Sequence, residues 1–126
     1  MDDEKLQELE FFENNILIVR YLSNRSITKE IAKKLVQERK DFARGKEIKL
    51  IMVFPQLSNM DKGGRDYLSS EDAKEGVLAS AMVVNTVIGK VIMNFFLKLN
   101  NKGNDDVPNK VCHTVEEAIE WIKKYP

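Results

Sequence analysis

The stretch SNMDKGGRDY, residues 58–67, sets two adjacent glycines between a lysine and an arginine, directly after the apolar run LIMVF and Pro55, Gln56 and Leu57. Backbone N–H groups at a helix start attract anions, so a glycine-rich turn with basic neighbours can cradle a phosphate. The nucleotide-binding form of that chemistry needs Gly-x-x-x-x-Gly-Lys-Ser/Thr, and neither the spacing nor the closing Lys-Ser/Thr is present. Asp61 stands at the N-cap, where its own carboxylate occupies the positive helix end. The expectation is a loose first turn. Each glycine weakens a helix interior by ~1 kcal/mol relative to alanine, though less at an end, so this loop is expected to be mobile.

Other residues that could do chemistry are scattered. His113 is the single histidine and stands directly before Thr114; one imidazole without neighbouring cysteines makes no zinc site of the usual kind. A hydrolase needs a nucleophile, a base and an orienting acid converging in space, and no motif signals them. Cys112, on a short strand, is expected to be a small buried apolar residue. Asn104, Asp105 and Asp106 read as solvated loop residues rather than a cation site. No catalytic residue, metal ligand or cofactor is expected, and the chain is read as a non-enzyme.

The elements that position these residues follow from periodicity. Residues 9–12 and 16–22 are β-rich runs separated by Glu-Asn-Asn, which suits a tight hairpin. Thr28 is placed to cap a helix whose stripe is Ile31, Leu35, Phe42 and Ala43, with Ala32 and Val36 beside it; Gly45 ends it. Residues 48–54 are apolar except Lys49, the pattern of a strand covered on both faces. RDYLSSEDAKE has helical composition and stops at Gly76. Residues 77–84 form a second buried strand, residues 86–99 a strongly apolar helix, and residues 110–112 a short strand. Thr114, with Glu117 three residues on, opens the last helix through a capping box, and Val115, Ala118, Ile119, Ile122 and Tyr125 supply its buried stripe. The order β-β-α-β-α-β-α-β-α predicts one α/β domain over residues 1–126, with a mostly parallel sheet, crossover helices, an antiparallel first strand and a flexible lead over residues 1–7.

Bulk properties agree with one such domain. The chain has 126 residues, 43% of them hydrophobic and 32% charged, so a single core is affordable without staples. Twenty basic residues balance 20 acidic ones, and zero net charge exerts no long-range pull on nucleic acid. The single cysteine excludes an intramolecular disulfide and fits a reducing compartment. The acidic start MDDEKLQELEFF lacks the order of a secretory signal, and no apolar run is long enough to span a bilayer. The expected location is cytoplasmic.

Two helix faces suggest contact surfaces. In the helix over residues 86–99, at about 100° per residue, Ile88, Val91, Ile92, Phe95 and Leu99 form the arc facing the sheet, and Lys90, Asn94 and Lys98 the wet edge. Phe96, Met93 and Leu97 lie progressively outside that arc. A helix covering one sheet face needs one apolar stripe, so these three mark either a second contact surface or residues covered by another element. On the first helix, Lys29, Lys33, Lys40 and Arg44 form a basic stripe flanked by Glu30 and Asp41. Anionic lipid or RNA could meet it, but acids dilute it and no aromatic residues are interleaved for base stacking. A solvated face is the expectation.

The stretch VIMNFFLKLN followed by VPNKVCHTVEEAIEWIKKY resembles a group of small bacterial proteins with a STAS-like fold, the fold of anti-sigma-factor antagonists. ITKEIAKKLVQERKDF and DKGGRDYLSSEDAKEG sit where that group carries its first two helices, so the resemblance spans roughly residues 8–125. It implies four successive βα units behind a leading hairpin strand. In the antagonists, the loop before the second helix carries Asp-Ser-Ser, and phosphorylation of a serine there adds nearly two negative charges at a helix start and changes the partner. The matching residues here are Asp61, Lys62, Gly63 and Gly64. The aspartate is kept and both serines are absent; Ser58 is the nearest hydroxyl and falls outside the motif. The inherited phospho-switch is therefore not expected.

The functional expectation is a non-catalytic regulatory or scaffolding module. Its candidate interaction loop is Ser58, Asp61, Lys62, Gly63 and Gly64, and its candidate interaction helix carries Met93, Phe96 and Leu97. The partner is a protein of unknown identity or a second copy of the chain. The alternative is a small apolar or lipid-like ligand lined by Phe96 and Met93, or association with a membrane surface.

Overall fold

Alternation of side chains decides which face each strand residue serves, and here both faces of the sheet are apolar. The computed structural model describes residues 5–22, 27–54, 60–84 and 107–125. The elements are β1 (Gln7–Phe12), β2 (Ile16–Tyr21), α1 (Lys29–Ala43), β3 (Ile48–Val53), α2 (Lys62–Leu68), α3 (Glu71–Lys74), β4 (Val77–Val83), β5 (Asn109–Cys112) and α4 (Val115–Ile122). The strands form one five-stranded sheet in the order β1-β2-β3-β4-β5. β1 runs antiparallel to β2, and the remaining pairs are parallel. This is the α/β architecture with a mixed, mostly parallel sheet that the periodicity predicts. The apolar helix expected over residues 86–99, with Met93, Phe96 and Leu97, lies outside the described residues.

The hairpin turns at Glu13, whose φ of 56° is left-handed, and the Ile16 amide closes the turn on the Glu13 carbonyl at 3.2 Å. β1 opens at Gln7, upstream of the expected start at Leu9, and Gln7 is buried. Residues 1–4 of the expected flexible lead lie outside the described residues; residues 5 and 6 precede the strand.

One layer packs α1 and α2 on Leu17, Val19, Leu50, Met52 and Val111. The opposite layer packs α4 on Ile16, Ile18, Ile51, Ala79, Ala81 and Cys112. The small Ala79 and Ala81 are fully covered where α4 meets the sheet. Lys49, the one charged residue in β3, belongs to this second face. Its stem is buried and its Nζ donates to the Tyr125 carbonyl at 2.7 Å, tying down the end of α4. Cys112 is fully buried, as expected of a small apolar residue.

Helix ends follow their signals. Thr28 Oγ1 accepts from the Ile31 amide at 3.3 Å, and α1 terminates through left-handed Arg44 and Gly45. Thr114 Oγ1 accepts from the Glu117 amide at 3.1 Å, while the Glu117 carboxylate accepts from the His113 amide at 2.8 Å. The capping box thus closes one residue further out than its usual form.

Two expectations need correction. The segment RDYLSSEDAKE is two helices rather than one. Ser70 Oγ donates to the Tyr67 carbonyl at 2.6 Å and accepts from the Ala73 amide at 3.3 Å, ending α2 and capping α3. Short hydroxyl side chains compete in this way with the helical ladder. Phe42, placed on the core stripe of α1, is instead 42% exposed and stacks on Phe11 at 5.5 Å between ring centres. The stripe runs through Ala32, Leu35, Val36, Arg39 and Ala43. An arginine therefore occupies a core position.

Candidate functional site

Every parallel strand in this sheet ends on the same side, and the connections divide unequally between its two ends. At the amino end of the strands, residues 44–47 and 75–76 make tight turns. At the carboxyl end, Leu22, Phe54 and Val84 leave β2, β3 and β4, and Ile27, Thr28, Met60 and Asp61 lead into α1 and α2. Ligands of open α/β sheets bind outside the carboxyl ends of the strands. The start of α2, with Asp61, Lys62, Gly63 and Gly64, lies there. Ser58 lies outside the described residues.

The start of α2 is not a loose turn. Met60 forms a parallel bridge with Ile27, and the Asp61 amide donates to the Ile27 carbonyl at 3.2 Å. Asp61 is the N-cap, its Oδ1 accepting from the Gly64 amide at 2.9 Å. Gly64 is buried, and a Cβ there would fall on the Ile27 carbonyl oxygen and lie 2.9 Å from the carbonyl carbon. Gly63 has more room: its Cβ would meet Lys29 Cβ at 3.4 Å. The expected softness of two glycines is overturned at Gly64 by close packing, because only glycine lets α2 approach the Ile27 backbone just before α1 so nearly. The same geometry answers the phosphate question, since Asp61 Oδ1 already takes the Gly64 N–H and brings a negative charge. Lys62 is exposed and pairs with Asp66 at 2.9 Å.

The basic stripe of α1 is also interrupted. Lys40 Nζ bonds Asp72 Oδ1 at 2.8 Å and Glu75 Oε1 at 2.9 Å, and the Tyr67 hydroxyl donates to Asp72 Oδ2. Hydrogen bonds from Lys40 and Tyr67 hold the Asp72 carboxyl below its usual range, and the bonds of Lys40 to Asp72 and Glu75 raise the Lys40 ammonium. The cluster fastens α3 to α1. His113 is exposed, and among the described residues no group of three or more His, Cys, Asp or Glu side chains could hold a metal ion. No helix of the described residues is long and apolar enough to cross a membrane.

A feature that the sequence reading passed over lies between α1 and the sheet. A cavity of about 60 Å³ is bordered by Gln7, Tyr21, Arg39 and Ser80, all buried. Apolar walls come from Leu50, Leu68, Met82 and Val107. Arg39 Nη2 donates to the Ala73 carbonyl at 2.7 Å. Burial lowers its pKa, opposed by the influence of Tyr21, Asp72 and Tyr67. Burial pushes the Tyr21 phenol up to about 12, against the lowering effect of the Arg39 charge. Gln7 Nε2 donates to the Leu35 carbonyl at 3.1 Å and to Glu38 Oε1 at 2.7 Å, fixing the edge of the cavity. The signal for Arg39 was legible, since it stands four residues after Leu35 and four before Ala43, in phase with the buried stripe.

No curated protein and no solved structure matches the chain. The family model described as Domain of unknown function (DUF7793) matches residues 11–126, nearly the whole sequence and all of the sheet from the last two residues of β1 onward. The chain belongs to the DUF7793 family.

Proposed function

We propose that this domain is a non-catalytic binding module of STAS-like fold that works through protein–protein contact at the carboxyl end of its parallel strands. The observation that carries the reading is the fixed start of α2. Asp61 and Gly64 clamp it to the Ile27 carbonyl region, so Lys62 and Asp66 are displayed on a stiff platform beside the ends of β2 and β3. A surface that is ordered before contact loses less conformational entropy on binding. The STAS-like resemblance supports this reading, because the antagonists of that fold change partners through the corresponding loop. Here no phosphoacceptor serine stands at residues 62–64, so docking on this reading does not depend on phosphorylation at those positions. The partner is another protein or a second copy of the chain.

The test is a charge reversal at Lys62. Lys62→Glu, checked for folding by circular dichroism, is expected to lose proteins that the parent chain recovers from its native host, or to shift a dimer to monomer in size exclusion. Unchanged recovery and unchanged oligomeric state would count against this surface. A second reading, binding of a small apolar or lipid-like molecule, is favoured by the cavity beneath α1 with its apolar walls and buried polar groups. Phe96 and Met93, proposed from the sequence for such a ligand, lie outside the described residues.

A further inference from the structure

Taking a guanidinium out of water costs several kcal/mol unless a counter-charge or several hydrogen bonds offset it. Arg39 is only 6% exposed, yet among the described residues its one hydrogen bond goes to the Ala73 carbonyl and no carboxylate lies at ion-pair distance. Asp72, whose charge it feels, is engaged by Lys40 and Tyr67. A guanidinium has five N–H donors, so most of them find no acceptor among the described residues. Arg39 lines the cavity together with Tyr21 and Ser80. Both residues are buried, and neither side chain makes a hydrogen bond among the described residues. One cationic residue and two hydroxyl-bearing residues thus border a single space.

We infer that this cavity binds the carboxylate of a small aliphatic acid, with Arg39 as its counter-charge and Tyr21 and Ser80 as hydrogen-bond donors. This inference rests on the ligand-binding reading given above. The guanidinium fork matches the two coplanar oxygens of a carboxylate. A phosphate would bring nearly two charges to a single cation and would press its remaining oxygens against Leu50, Met82 and Val107. Those walls suit a hydrocarbon stub instead. The volume of about 60 Å³ corresponds to roughly four to six water positions, so the acid is short-chain. Ligand binding also accounts for an arginine on the core stripe, because a bound carboxylate supplies a counter-charge that no described residue brings to ion-pair distance.

The experiment is an amide-shift titration of the full chain with sodium propionate at constant ionic strength, with propionamide and inorganic phosphate as comparison probes. Propionate is expected to move the amides of Leu35, Arg39 and Ser80 with a Kd on the order of 1 mM. Propionamide, which has the same shape and no charge, is expected to bind about tenfold or more weakly. Arg39→Met is expected to lose a similar factor for propionate while its ligand-free form unfolds at no lower temperature, since removing an unpaired buried charge relieves a desolvation penalty. A purely structural arginine would do the reverse, lowering that temperature. Should Arg39→Met fail to fold, Arg39→Lys decides: weaker propionate binding supports the fork, and unchanged affinity overturns it. Equal binding of propionate and propionamide overturns carboxylate recognition and leaves the ligand-binding reading standing. Tighter binding of phosphate than propionate overturns the assigned ligand class. No shift with any probe overturns both the inference and the reading beneath it.

Discussion

Replacing Gly64 by alanine is the sharpest probe of how the α2 platform is built. Neither Gly63 nor Gly64 has a left-handed φ, so the two positions differ in space rather than in backbone strain. Alanine gains up to about 1 kcal/mol over glycine in a helix. At Gly63 nothing opposes that gain, because the new Cβ would sit 3.4 Å from Lys29 Cβ and 3.5 Å from Asp61 Oδ1. At Gly64 the Cβ would collide with the Ile27 carbonyl, 2.9 Å from its carbon and 3.2 Å from Ile27 Cγ2. Backbone cannot step aside as a flexible side chain can, so the cost belongs at the upper end of the ~1–3 kcal/mol for overpacking. Gly64→Ala should then lose about 1–2 kcal/mol net, and Gly63→Ala should gain up to about 0.5–1 kcal/mol near the helix end. In thermal unfolding these translate to a Tm fall of about 4–8 °C for the first and a small rise for the second, at about 4 °C per kcal/mol for a domain of this size. Urea unfolding with unchanged m-values would confirm that native stability is what changed. If Gly64→Ala matched or exceeded Gly63→Ala in stability, the close approach to Ile27 would be refuted and the softer reading of the two glycines would return.

Further outcomes follow from burial and charge. Leu35→Ala, on the covered stripe of α1, should cost about 2–5 kcal/mol in urea unfolding, whereas Phe42→Ala, half outside the core, should cost about 1 kcal/mol, chiefly its stacking on Phe11. Because the folded Tyr21 pKa is raised from 10 to about 12, its contribution is fully present below pH 10 and declines as pH rises through the folded value. Comparing urea unfolding at neutral pH with unfolding near pH 11, Tyr21→Phe should lose less stability than the parent by on the order of 1 kcal/mol; equal losses would contradict the burial of that phenol. Asp72 is shifted the other way, so its contribution is present above the ordinary carboxylate range and disappears as pH falls through its lowered folded value. Asp72→Asn should therefore differ from the parent at neutral pH, converge with it in acid, and differ less in high salt.

Much of this fold is legible from composition along single elements. The hairpin at Glu13, the doubly covered β3, and the Thr28 and Thr114 caps all depend on residues near one another in sequence, and periodicity exposes them. What escaped depends on contacts between elements. The Ser69–Ser70 break looks helical by composition until Ser70 Oγ is seen competing for the Tyr67 carbonyl and the Ala73 amide. Gly64 reads as flexibility unless the Ile27 carbonyl, far away in sequence, is known to face it. Phe42 was assigned to the core because its hydrophobicity outweighed its phase, and Arg39 was passed over because its charge did. Helical phase was the better guide in both cases. Of the candidate interaction residues, Asp61, Lys62, Gly63 and Gly64 come together at the carboxyl end of the sheet, although their glycines serve packing rather than motion. Ser58, Met93, Phe96 and Leu97 lie outside the described residues.

The central claim is that contact with a partner is made at the start of α2. Site-specific photo-crosslinking in the native host tests it most directly, with a photoreactive residue placed in turn at Lys62 and Asp66, and at the exposed α4 positions Glu116 and Glu120 as controls. Discrete adducts from positions 62 and 66, absent from 116 and 120, are the predicted result. Adducts confined to α4, or none at α2 while the protein is folded and expressed, would contradict it.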